Sequence, residues 1–184
     1  MSRICGTMPH HFQLAAMSEQ YRDERRTVEL QAARLNTTPT PRVTTIPVVV
    51  HVLYSTATEN VSDAQIDSQI RVLNEDFRKR NADIVHVPAP FAPYASDAMI
   101  EFVLANRDPD GNETTGITRT AVDGPYPYDE NDDEATLKLD ALVKRNGTGI
   151  DAWPAGSYLN LWVCPIQAGL LGYAVQIHLQ LGTR

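Results

Sequence analysis

Cysteine is scarce in this sequence of 184 residues: Cys5 and Cys164 are the whole complement. Two cysteines so far apart exclude a disulfide scaffold and a structural zinc site made of cysteines alone. Basic side chains are also few, 16 Lys and Arg against 23 Asp and Glu, for a formal net charge of -7. An acidic chain without a basic cluster is poorly suited to gripping a phosphate backbone, so nucleic acid is not an expected partner. No apolar run approaches the roughly 18 residues of a membrane span. Residues 1–6 lack the apolar core of a secretory signal.

Sites of chemistry are equally sparse. The five histidines, His10, His11, His51, His86 and His178, include no pair at the i, i+4 spacing that presents two imidazoles to one metal ion. His10 and His11 are adjacent and point to different sides of a helix, and His51, inside an apolar run, reads as a hydrogen-bonded core histidine. No Gly-x-Ser-x-Gly elbow occurs. Cys164 follows an apolar strand and reads as a buried, inert thiol. Asp108, Asp110 and Asn112 begin like a calcium loop, but Glu113 stands where Gly is needed and Arg119 where Glu is needed. That stretch reads as a turn, and the acidic stretch 129–134 as a solvated loop.

What is present is an ordinary globular composition, 42% hydrophobic and 21% charged. Residues 12–35 carry Leu14, Tyr21, Val28 and Leu35 at seven-residue intervals, with Met17 and Ala32 beside them, which predicts one amphipathic helix packed on something else. Residues 36–45 are Thr- and Pro-rich and predict an exposed linker open to proteases. Residues 46–55 are apolar and β-branched with no alternation, so a strand covered on both faces is expected. Ser62 and Gln65 have capping-box spacing, followed by Ile66, Ile70, Leu73 and Phe77 at helical intervals, predicting a helix over 63–80. Further strands are expected at 99–105 and 159–164, a short extended piece at 116–120, and a short helical pattern through Leu137, Leu139 and Leu142.

Taken in order, Ile46-Pro47-Val48-Val49-Val50-His51-Val52-Leu53-Tyr54, Ser62-Asp63 with Gln65-Ile66, and Leu73-Asn74-Glu75-Asp76-Phe77 resemble the opening of the pappalysin-like metzincin zinc peptidases. Val87-Pro88-Ala89-Pro90-Phe91, Ile100 to Ala105, Gly116-Ile117-Thr118-Arg119-Thr120, Trp153-Pro154-Ala155, Tyr158 to Cys164 and Gly169 to Ala174 continue the resemblance in step. Cys5-Gly6-Thr7, after Arg3, looks like the leading segment of bacterial members.

The resemblance implies an α/β, zincin-like fold: a mixed twisted sheet with a backing helix, preceded by a helical pro-segment. It implies a pro-segment and linker at 1–45, the N-terminal part of a catalytic domain at 46–174, and a divergent tail at 175–184. It implies peptide-bond hydrolysis by zinc-activated water, with peptide or protein substrates and a secreted setting. Leu170, Leu171, Gly172 and Tyr173 would belong to a substrate-binding rim, and Cys5 would be the latency ligand of the zinc in a longer form. The zinc helix of the family, H-E-x-x-H-x-x-G-x-x-H, is not among these residues; no His-Glu dipeptide occurs. The expectation is therefore a truncated, inactive chain that binds no zinc tightly. Its sheet would lack a cover over strands 46–54 and 159–164, inviting self-association. The alternative is a non-catalytic binding or inhibitory protein built on the same half-domain.

Overall fold

In chain order the elements are β1 (Ile4–Cys5), α1 (Thr7–Met17), α2 (Glu19–Arg34), β2 (Thr44–Tyr54), α3 (Asp63–Phe77), β3 (Ile100–Leu104), β4 (Ile117–Ala121), α4 (Ala135–Val143), β5 (Leu159–Val163) and β6 (Leu170–Gly172). These come from a computed structural model that describes residues 4–34, 42–129, 131–167 and 169–174. Most of the expected linker and all of the expected tail at 175–184 lie outside the described residues.

Strand β2 organises the domain. It pairs with β3 through residues 44–48, with β4 through residues 50–54 and with β5 through residues 48–52, every pairing parallel. The expected α/β class is found, and the sheet is open. Thr44 and Thr45, read from sequence as the end of a linker, already belong to β2, opposite Ile100 and Glu101. Between β3 and β4 the chain returns through a tight crossing at Gly116. Its φ of +73° and the 2.6 Å that would separate an added Cβ from the Ala105 nitrogen leave room for glycine alone. The turn before it is closed by Asp108, whose Oδ1 accepts from the Asp110 and Asn112 amides at 3.0 and 2.8 Å.

Both faces of β2 are covered, as its unbroken apolar run predicts. Val48, Val50 and Val52 pack with Ile66 and Phe102, and with Ile70 and Leu73, on the α3 side. Ser62 caps α3, its Oγ accepting from the Gln65 amide at 3.2 Å. Phe77 sits edge-on to Phe102, ring centres 4.9 Å apart. A feature the residue pattern does not announce is Asn74. Its side chain accepts from the Phe102 amide at 2.7 Å and donates to the Phe102 carbonyl at 2.8 Å, acting as a one-residue strand against β3.

On the other face Leu53 joins Tyr126, Leu139, Val143 and Leu170. The expected bare face on strand 46–54 is therefore corrected: Val48 through Leu53 are all buried. At Leu53 the cover is α4, which the residues after the acidic stretch supply through Leu139 and Val143, and at His51 it is Trp153 and Trp162. Strand β5 is less protected; its residues are half-buried and Val163 is 37% exposed. Self-association through an open β2 face has no basis in this arrangement.

The single helix expected over 12–35 is also corrected. It is two helices broken at Ser18, whose extended backbone ends α1 while its Oγ accepts from the Tyr21 amide at 3.1 Å. No residue of α2 is buried. The seven-residue stripe therefore packs loosely, with Tyr21 and Arg25 closing on His11 instead of a core.

His51 is fully buried in β2. Its Nε2 donates to Asn160 Oδ1 at 3.0 Å, and its Nδ1 accepts from the Thr118 hydroxyl at 2.7 Å. The Asn160 oxygen is fixed as an acceptor because it also accepts the Trp153 amide at 2.7 Å, so the neutral imidazole carries its proton on Nε2. Burial pushes its pKa below the ordinary 6.5, against the opposing pull of Asn160. A depressed pKa means that the unfolded chain takes up the proton first as pH falls. The stability His51 contributes is complete above the unfolded value and declines as pH drops below it. The urea midpoint should fall between about pH 7.5 and about pH 5.5, and this fall should flatten in His51→Gln. Equal slopes in the two proteins would contradict the assignment.

Candidate functional site

The residues expected to form a substrate rim, 170–173, come together with Cys5, which the sequence places at the far end of the chain. Strand β6 pairs in parallel with β1, Ile4 opposite Leu170 and Cys5 opposite Gly172. The Gly6 amide continues the contact by donating to the Gly172 carbonyl at 2.9 Å, and the Ala174 amide donates to the Thr7 hydroxyl at 3.0 Å. The main-chain groups of 170–174 are thus engaged by an extended piece of the same chain. Gly6 makes this close approach feasible: a Cβ there would stand 3.0 Å from Leu170 Cδ1 and 3.2 Å from Thr136 Cγ2. Leu170 is buried under the ribbon, Leu171 points outward and is exposed, and Tyr173 is half-buried.

Cys5 is exposed, with Sγ 3.4 Å from Thr7 Oγ1. The Thr7 side chain, then its main chain, holds the thiol below its ordinary range, which favours the thiolate that ligates or reacts. Cys164 is the opposite case: burial pushes it up to about 11, in keeping with an inert thiol.

Behind the ribbon lies a polar cluster that sequence reasoning missed. His10 is fully buried, its Nε2 3.5 Å from Asp140 Oδ2 and its ring 4.9 Å from that of Tyr173. Asp140 also accepts from the Tyr173 hydroxyl and pairs with Lys144 at 2.7 Å. Burial alone would raise the Asp140 carboxyl. His10, Lys144 and Tyr173 together outweigh it and hold the carboxyl below the usual carboxylate range. The Tyr173 phenol is pushed up by the same burial and by donating to Asp140. The Lys144 ammonium sits over the rings of Trp162 and Tyr173, 5.2 and 5.6 Å from their centres. Asp140 and Lys144 are four residues apart on α4, but His10 and Tyr173 come from distant parts of the chain, so local spacing signals the ion pair and not the cluster. His11, one residue on, turns the other way to Tyr21.

Among the described residues no group of three or more His, Cys, Asp or Glu side chains is placed to hold a metal ion. His51 is hydrogen-bonded at both ring nitrogens, whereas His10 is enclosed with neither ring nitrogen hydrogen-bonded, Asp140 lying 3.5 Å away. The donor set of the described residues therefore does not fit a catalytic zinc. No described helix is long and apolar enough to cross a membrane.

Comparison with solved structures sets this geometry in context. Mirolysin in complex with a compound aligns over 73% of this chain and 47% of that one, at 48% identity and a TM-score of 0.64. A mutant of Tannerella forsythia promirolysin aligns over 94% and 54%, at 41% identity and a TM-score of 0.75. The fold is that of a mirolysin-like zincin. Mature mirolysin of the same organism, in complex with a cleaved peptide, aligns over 74% and 47%, at 48% identity and a TM-score of 0.65. The similarity is thus to a metallopeptidase. This chain spans about half the length of the mirolysin structures it matches. No family profile and no curated protein matches it.

Proposed function

We propose that this chain is the pro-segment and the N-terminal half of the catalytic domain of a secreted, mirolysin-like zinc peptidase of the pappalysin group. The observation that carries the reading is the docked N-terminal arm. Coverage of this chain rises from 74% with mature mirolysin to 94% with promirolysin. A pro-segment on the N-terminal side of the domain would produce that difference. Strand β6 is the part of the site this chain supplies: a short strand whose main chain holds an extended segment, as peptidases hold substrate by strand addition. Here β1 occupies it. Cys5, exposed at the end of β1 with a thiol disposed to ionise, is the group a longer form would present to its zinc.

In mirolysin-like peptidases zinc supplies the activated water when bound. Our reading assigns to these residues the holding of peptide along 170–172 and the covering of that strand by residues 4–6, and no bond-breaking step. The 184-residue chain alone is expected neither to retain zinc after dialysis nor to cleave casein. A chimera with the remaining half of mirolysin joined after Ala174 should be a latent peptidase, and Cys5→Ala in it should release activity without cutting between α2 and β2. Stoichiometric zinc with chelator-sensitive cleavage by the short chain would overturn the reading, as would a folded, zinc-loaded chimera that stays inactive after its arm is removed.

A further inference from the structure

The N-terminal arm is fastened unevenly. Its fully buried residues among those described, Gly6 and His10, and its hydrogen-bonded contacts with strand β6 and helix α4, fall within residues 4–13. The contacts are the β1–β6 ladder, the Gly6 amide on the Gly172 carbonyl, His10 fully enclosed beside Asp140 and Tyr173, and Gln13 Oε1 accepting from the buried Thr136 hydroxyl at 2.6 Å. Helix α2, which leads toward β2, has no fully buried residue, and its Tyr21, Arg22 and Arg25 contact α1 at His11 and Ala15. The covalent link to the domain thus leaves from the less buried end of the arm.

We infer that residues 4–13, keyed by buried His10, form a non-covalent plug on strand β6. Cutting the backbone between α2 and β2 then leaves the arm in place, and its release is a separate, slower step. The inference rests on the arm's contacts and not on the peptidase reading, and it stands or falls with the chain as it is. His10 is the key because it is the arm's fully buried side chain. Removing it opens a void against Tyr173 and withdraws a polar partner from Asp140.

The test inserts a specific protease site between residues 35 and 41 of the full chain and confirms complete cutting by intact mass. Both fragments should then co-elute on a sizing column in native buffer. With His10→Ala the arm should leave roughly ten- to hundredfold faster. Leu30→Ala, at an exposed position of α2, should retain it like the parent. Gln13→Ala provides a second variant at the interface, expected to speed release less, should uncut His10→Ala lose its near-ultraviolet dichroism. An arm that separates from the parent protein on the first column overturns the inference. So does retention unchanged in both the His10 and Gln13 variants, or release equally fast in Leu30→Ala.

Discussion

Leu53→Ala should lower the stability of the folded chain by about 2–5 kcal/mol, the range for emptying a fully enclosed leucine site. Leu53 has no exposed surface and lies where Tyr126, Leu139, Val143 and Leu170 meet over β2. Truncation there leaves a cavity between the sheet and α4, and the neighbours belong to separate elements that cannot all move in to fill it. Urea unfolding should show the midpoint falling with the slope against denaturant unchanged. Leu30→Ala, at an exposed position of α2, should stay within about 0.5 kcal/mol of the parent. A Leu53→Ala loss no larger than that of Leu30→Ala would mean that α4 does not cover the sheet in solution.

Asn160→Leu should be comparably damaging although it adds apolar bulk to a half-buried site. The Asn160 side chain accepts from the Trp153 amide at 2.7 Å and from His51 Nε2 at 3.0 Å, and donates to the Trp153 carbonyl at 2.9 Å. Leucine strands all three groups, one of them on a fully buried imidazole. At about 1–3 kcal/mol for each buried group left without a partner, a loss of roughly 3 kcal/mol is expected. The readout specific to this role is the His51 ring. Nitrogen chemical shifts should report one tautomer in the parent and a mixture in the variant, because the acceptor that selects Nε2–H is gone. A single unchanged tautomer in Asn160→Leu would show that another group selects it.

Local pattern carried the fold a certain distance. The β-branched run at 46–54 could only be a strand buried on both faces, and Ser62 with the spacing Ile66, Ile70, Leu73 and Phe77 defined α3 and its inner side. Periodicity states that a face is apolar and not what covers it. Helix α4 was therefore legible as a helix and illegible as the cover of Leu53, and a stripe through residues 14–28 promised a packing surface in which no residue of α2 is fully buried. Strand β1 has two residues and no period, and its partner lies more than 160 positions away, so the ribbon that unites Cys5 with Leu170 and Gly172 left no trace in spacing. The polar links made by Asn74, Asn160 and His10 are invisible for the same reason: each joins residues that only the folded chain brings together.

The three parallel partners of β2 arrive late. Val48 must wait for residue 104 on one pairing and for residue 159 on another, and Val50 for residue 117. As the chain leaves the ribosome, its most apolar strand is thus synthesised long before anything can pair with it, and closing these large loops is costly in entropy before any contact repays it. Folding should be slow for a domain of this size. The interval in which residues 48–53 are translated but unpartnered is when a chaperone, or a second nascent chain, has the best access to them.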